Sequence, residues 1–174
     1  LQMQIMGIRS VLEDFNVLTT GIFMSGYYVG YFIGSKTTPN LVQKVGHIRV
    51  FAAFASLASL SALVAVAYVN PVMWTISRFI TGISLVSCYV VSESWLNDRA
   101  TNKNRGQLLS AYMIVLYFGL ALGMLLLNIS EPKAYEPFIL VSVLLSLALV
   151  PILLTKRPAP KFKKIETISI NELS

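Results

Sequence analysis

Residues 49–78 read RVFAAFASLASLSALVAVAYVNPVMWTISR, and no charged residue falls between Arg49 and Arg78. A hydrocarbon core of about 30 Å takes roughly 20 helical residues, so this run is too long for one crossing. Asn70-Pro71 breaks it. Proline suits the first turn of a helix, where its missing N–H has no partner to lose. The stretch therefore divides into two spans, 50–69 and 71–92. Two apolar helices joined by a tight break point to an all-α membrane protein.

The same reading extends in both directions. No charge lies between Asp14 and Lys36, which makes 15–35 a span, and two more follow at 107–130 and 137–155. The apolar runs are continuous rather than alternating, which disfavours a transmembrane barrel. In lipid the backbone has no water to bond, so each span must be a helix. Residues 1–8 are mostly apolar but too short to cross, and are expected to be the end of another helix. The expectation is five complete transmembrane helices plus the end of a sixth over 1–155, then a basic tail over 156–174.

Composition agrees. Of 174 residues, 55% are hydrophobic and only 13% charged, with a mean hydropathy of +0.68. Soluble domains run near 25% charged, so a soluble globular domain and a disordered tail are excluded. The single cysteine, Cys88, excludes a disulfide-built module. A net charge of +6 on so apolar a chain fits anchoring at an anionic membrane leaflet rather than nucleic-acid binding.

The basic residues alternate by loop. Lys36, Lys44 and Arg49 lie in one connection, Arg99, Lys103 and Arg105 in another, and Lys156, Arg157, Lys161, Lys163 and Lys164 in the tail. The opposite side carries Arg9 and Lys133 beside Glu13, Asp14, Glu131 and Glu136. The positive-inside rule places the basic loops and the C-terminus in the cytoplasm. Five spans ending inside would begin outside, although no signal peptide precedes Leu1. A chain truncated at its start, with 1–8 the end of a first helix, resolves that parity. The tail, with Pro158 and Pro160 among its lysines, reads as a linker on the inner leaflet.

Few residues carry chemistry. Gly26, Gly30 and Gly34 share one face of the first full span and allow close helix packing or a sliding surface; Gly119 and Gly123 repeat the spacing later. Tyr27, Tyr28 and Tyr31 lie on other faces of that span, lining a cavity or packed inside. Arg78 is the most informative position. Eight residues beyond Asn70, it lies roughly 12 Å into the membrane. A cation there faces a bundle interior or a wet cavity. Trp74, Arg78, Gly82, Leu85, Tyr89 and Ser92 share its face. Arg78 either meets an anionic substrate or a proton-carrying carboxylate, or it bonds neighbouring carbonyls as a structural residue. Glu93 is expected to bridge Lys44 or Arg49 at the basic end. His47, in a basic loop, is expected to be solvated. No metal-ligand cluster, phosphate loop or activated serine is visible, so neither an enzyme nor a cofactor is expected.

Three segments resemble the major facilitator superfamily. The first, Pro39 to Arg49, is similar to the loop pattern G-x-L-x-D-R-x-G-R-R between that family's second and third helices. Leu41, Lys44 and Gly46 fit it; Pro39, Gln43 and His47-Ile48 depart from it. The second, Arg78-Phe79-Ile80-Thr81-Gly82, resembles the R-x-x-x-G motif of the fourth helix. The third, Asn104 to Tyr112, includes Arg105 and Gly106 and is similar to the entry into the fifth helix; the run Glu93 to Tyr112 looks most like the YcaD-like subgroup. No proline follows Gly119 or Gly123, so the glycine-proline motif of drug/proton exchangers is not reproduced.

The resemblance implies half of a 12-helix fold in which two six-helix halves rock about a central site. It implies secondary transport of a small-molecule substrate, ion coupled and proton driven, with the missing C-terminal half and membrane lipid as partners, in a bacterial inner membrane. Arg78, Trp74, Tyr89 and Gly82 would then line the substrate path, and Lys44, Gly46, Arg49, Glu93, Arg105 and Gly106 would form the cytoplasmic gate. A small non-transporting scaffold and a half-size transporter that dimerises are the alternatives.

Overall fold

A computed structural model describes residues 1–128 and 134–154 of the chain. The expected span ends at 130 and 155 and the basic tail 156–174 lie outside these described residues. Six α-helices run in order: α1 Gln2–Leu12, α2 Val17–Val45, α3 His47–Ala67, α4 Pro71–Arg99, α5 Arg105–Leu125 and α6 Glu136–Leu153, with a 3-10 turn at Leu126–Asn128. No strand occurs among the described residues. The fold is all-α.

Four helices, α3 to α6, are long and apolar enough to cross a membrane. α2 is longer than three of them and uncharged from 17 to 35, but its glycines, tyrosines, serine and threonines lower its hydropathy.

Local chemistry sets the helix ends. Asn16 caps α2, its side-chain oxygen accepting the Thr19 N–H at 2.7 Å, and Asn70 caps α4 by accepting from Val72 N at 2.9 Å. Each satisfies an N–H with no intrahelical partner. Pro71 occupies the first turn of α4, where it removes no bond. Asp14 turns the chain between α1 and α2 at φ 55°, a region short polar side chains tolerate.

Two helices extend past the expected ends of their spans. The connection expected over 36–49 is helical to Val45, through Pro39, and only Gly46 breaks it, at φ 90°. Glycine adopts that conformation without a Cβ clash. Val42 holds the extension in place by packing with Val50 and Val91. α4 likewise continues past residue 92 to Arg99. Charges mark where the apolar environment ends, and a helix can run on into water.

α4 is the central element. α2 packs along one side of it and α3 along another, while α6 packs on α3. Short hydroxyl bridges join these helices. Thr38 and Ser87 share a 2.7 Å bond across α2 and α4, Ser61 and Thr81 share one of 2.8 Å across α3 and α4, and Ser59 meets Ser142 at 2.6 Å across α3 and α6. In a membrane such bonds average about 0.6 kcal/mol each and orient more than they stabilise. α5 has no buried residue and touches α4 only lightly.

Candidate functional site

The three glycines of α2 face α4. A methyl group at Gly26 would lie 3.1 Å from the Thr75 carbonyl oxygen. At Gly30 it would overlap the Phe79 carbonyl, and at Gly34 it would stand 2.5 Å from a Val86 methyl. From the other side, a methyl on Gly82 would overlap the Tyr27 carbonyl. Backbone therefore rests on backbone along the seam, the geometry small-xxx-small spacing permits. Gly82 belongs to this contact.

That close approach brings Arg78 to Tyr27. The Arg78 side chain is 1% exposed, and its guanidinium carbon lies 4.7 Å from the centre of the Tyr27 ring. The ring face attracts the cation. Two of its donors, Nε and Nη2, are buried with no hydrogen-bond partner among the described residues. Burying a charged donor unpaired is costly, so this side chain is poised for an acceptor rather than satisfied by the fold.

Trp74, which shares the Arg78 face in sequence, has a structural place. It is fully buried, donates Nε1–H to the Ala65 carbonyl at 2.9 Å, and packs edge-on against Phe15 and Phe23 at 5.3 Å from each. This aromatic cluster pins the α3–α4 turn to the start of α2. A substrate reaching Trp74 would have to displace the core.

Tyr89 is half-buried and keeps company with tyrosines from two other helices. The Tyr27 and Tyr31 rings of α2 lie 6.1 Å apart. Tyr89 on α4 lies in the neighbourhood of both. Tyr112 on α5 lies near Tyr89, Tyr31 and Glu93, and its hydroxyl is buried with no hydrogen-bond partner among the described residues. A row of phenols thus runs from Arg78 toward Glu93. Tyr112 was not singled out from the sequence; its signal is a phenol about two turns inside an apolar helix.

At the basic end the expected gate residues are spread out. Lys44, Arg49 and Glu93 are exposed, and among the described residues no ion pair joins Glu93 to Lys44 or Arg49. Arg105 donates from Nη2 to Asn97 Oδ1 at 3.2 Å, and Gly106 faces open space. Gly46 forms the α2–α3 turn. His47 corrects the expectation of a solvated side chain. It is 1% exposed, with Nε2 3.1 Å from Ser94 Oγ and its ring 6.3 Å from that of Trp95. The tight Gly46 turn tucks it between α3 and α4. Gly119 has nothing near its Cβ position, and Gly123 approaches only Leu1, at 3.7 Å.

Comparison with known proteins adds the family. The profile described as Major Facilitator Superfamily matches residues 2–170. A protein of Escherichia fergusonii named "Uncharacterized MFS-type transporter YcaD" is 28% identical over 153 residues, covering 88% of this chain and 40% of its own. An MFS-type transporter of Yersinia pestis (strain Pestoides F) is 32% identical over 133 residues, covering 76% of this chain and 35% of its own. One from Enterobacter sp. (strain 638) is 31% identical over 144 residues, with 83% and 38% covered. The chain thus spans 40% or less of the length of these curated relatives. No solved structure matches it at comparable significance. Its apolar helices make it an integral multi-pass membrane protein, and the chain belongs to the major facilitator superfamily.

Proposed function

We propose that this chain is the N-terminal half of a secondary transporter that moves a small solute by alternating access, with a proton gradient as driving force. The observation that carries the reading is Arg78, a buried cation in mid-span with Nε and Nη2 unpaired. Ionisable residues at such depth are expensive and mark transport paths more often than packing. The relatives' printed names describe MFS-type transporters. The basic loops lie in the cytoplasm on this reading, and the membrane is the bacterial inner membrane.

Within this half, the α2–α4 glycine seam supplies a stiff wall and Arg78 with Tyr89 supplies its polar face. Trp74 and Gly82 position that face rather than touch the solute. Lys44, Gly46, Arg49, Glu93, Arg105 and Gly106 surround the cytoplasmic mouth, where a second half closes against them. α5, exposed along its length, offers that half and the surrounding lipid a contact surface.

The test is flux through the full-length protein reconstituted in proteoliposomes under an imposed pH gradient. Solute-dependent proton movement that falls at least tenfold in Arg78→Ala is expected. A flux that leaves Arg78→Ala equal to wild type contradicts the role given to Arg78, and a folded full-length protein that moves no solute contradicts transport.

A further inference from the structure

We infer that the ligand met by Arg78 is a carboxylate on a small organic anion, held by the Nε/Nη2 edge of the guanidinium and passed along the tyrosine row toward the basic end. This inference rests on the transport reading above. Nε and Nη2 are the two donors of one edge of the guanidinium. They point the same way and match the two oxygens of a carboxylate in a pair of parallel bonds. They are the two atoms of Arg78 that lie buried and unpaired. Among the described residues no neighbouring acid neutralises the cation. α2 has no acidic residue, α5 has none, and on α4 the first one after Arg78 is Glu93, four turns away.

The rest of the wall suits an anion as well. Tyr27, Tyr31, Tyr89 and Tyr112 come from three helices, and each carries a hydroxyl able to donate to a carboxylate. The Tyr112 hydroxyl is itself buried and unpaired. One fixed positive charge followed by neutral donors attracts anions and raises the barrier for cations. The Tyr27 ring at 4.7 Å holds the guanidinium plane without using its Nε/Nη2 edge. A single fork takes a single carboxylate group.

The experiment uses the detergent-purified full-length protein and follows its thermal melting with acetate, pyruvate and benzoate, each beside its neutral amide. At least one acid is expected to raise the melting temperature while its amide does not. Arg78→Lys, which keeps the charge and loses the fork, should bind that acid about tenfold or more weakly. Arg78→Gln without ligand should melt no lower than wild type, because an unpaired buried charge has been removed. A wild-type protein that none of the acids stabilises overturns the proposal, and an Arg78→Gln variant that melts well below wild type overturns it too, because an acid elsewhere in the protein then occupies the fork. Equal stabilisation by acid and amide, or by acid in wild type and Arg78→Lys, overturns it too. If flux assays meanwhile show transport of a neutral or cationic solute, the transport reading stands and only the carboxylate falls.

Discussion

The α2–α4 seam and helix α5 carry the same sequence signal and come to opposite ends. Gly26, Gly30 and Gly34 are spaced by four, and so are Gly119 and Gly123. The first set is buried to the point that a methyl group would strike carbonyls of α4, whereas Gly119 has open space around it. Glycine spacing permits close approach but does not choose a partner. What distinguishes the seam is that α4 answers with its own glycine, Gly82, and with the Thr38–Ser87 bond. α5 presents Met113, Ile114, Val115, Phe118 and Leu125 outward with no described helix against them. One region is packed within the described helices, and the other presents an apolar surface that none of them covers.

The most disruptive change should be Gly30→Leu. It would drive a side chain into the Phe79 backbone, which cannot yield cheaply, at about 3 kcal/mol or more. The expected result is loss of folded protein in fluorescence-detected size exclusion of the full-length transporter. Gly119→Leu, the matched change on α5, should leave the profile intact. Equal damage at both would erase the distinction between the two regions. Trp74→Ala comes next, at about 3–5 kcal/mol for a buried indole, read as a lowered melting temperature. Trp74→Phe keeps an aromatic ring but loses the bond to Ala65 and part of the indole volume, which should cost less, about 2 kcal/mol. A Trp74→Phe variant that melts normally but loses flux would restore Trp74 to the substrate path. Ser87→Ala should cost less again, about 0.5–1 kcal/mol, because Thr38 still bonds the Gly34 carbonyl at 2.6 Å.

Much of this architecture is legible without coordinates. The Asn70-Pro71 break works at the level of one residue's backbone, and the structure places the start of α4 there. The burial of Arg78 follows from its place well inside an apolar helix, where a cation turns to the bundle interior. The helix ends are less legible, because charge reports the edge of the apolar environment while Gly46 and Ala100 end the helices by local backbone geometry. Burial of His47 depends on how tightly the Gly46 turn swings α3 against Ser94, a relation of residues 47 positions apart. Trp74 shows the limit of face arguments. It shares the Arg78 face in projection, yet Phe15 from the connection before α2 and Phe23 from its second turn close over it. Tyr112 reaches the tyrosine row only through the placement of α5 beside α4.

The central claim is that the face of α4 bearing Arg78 and Tyr89 borders a path that opens to each side of the membrane in turn. The most direct measurement is labelling of Tyr89→Cys in the full-length protein, in a background freed of other cysteines, including Cys88, with a membrane-impermeant maleimide applied from either side. The account predicts labelling from both sides, with the two rates shifting in opposite directions when transported solute is added. Labelling from one side only, unchanged by any solute, or none at all, would contradict it.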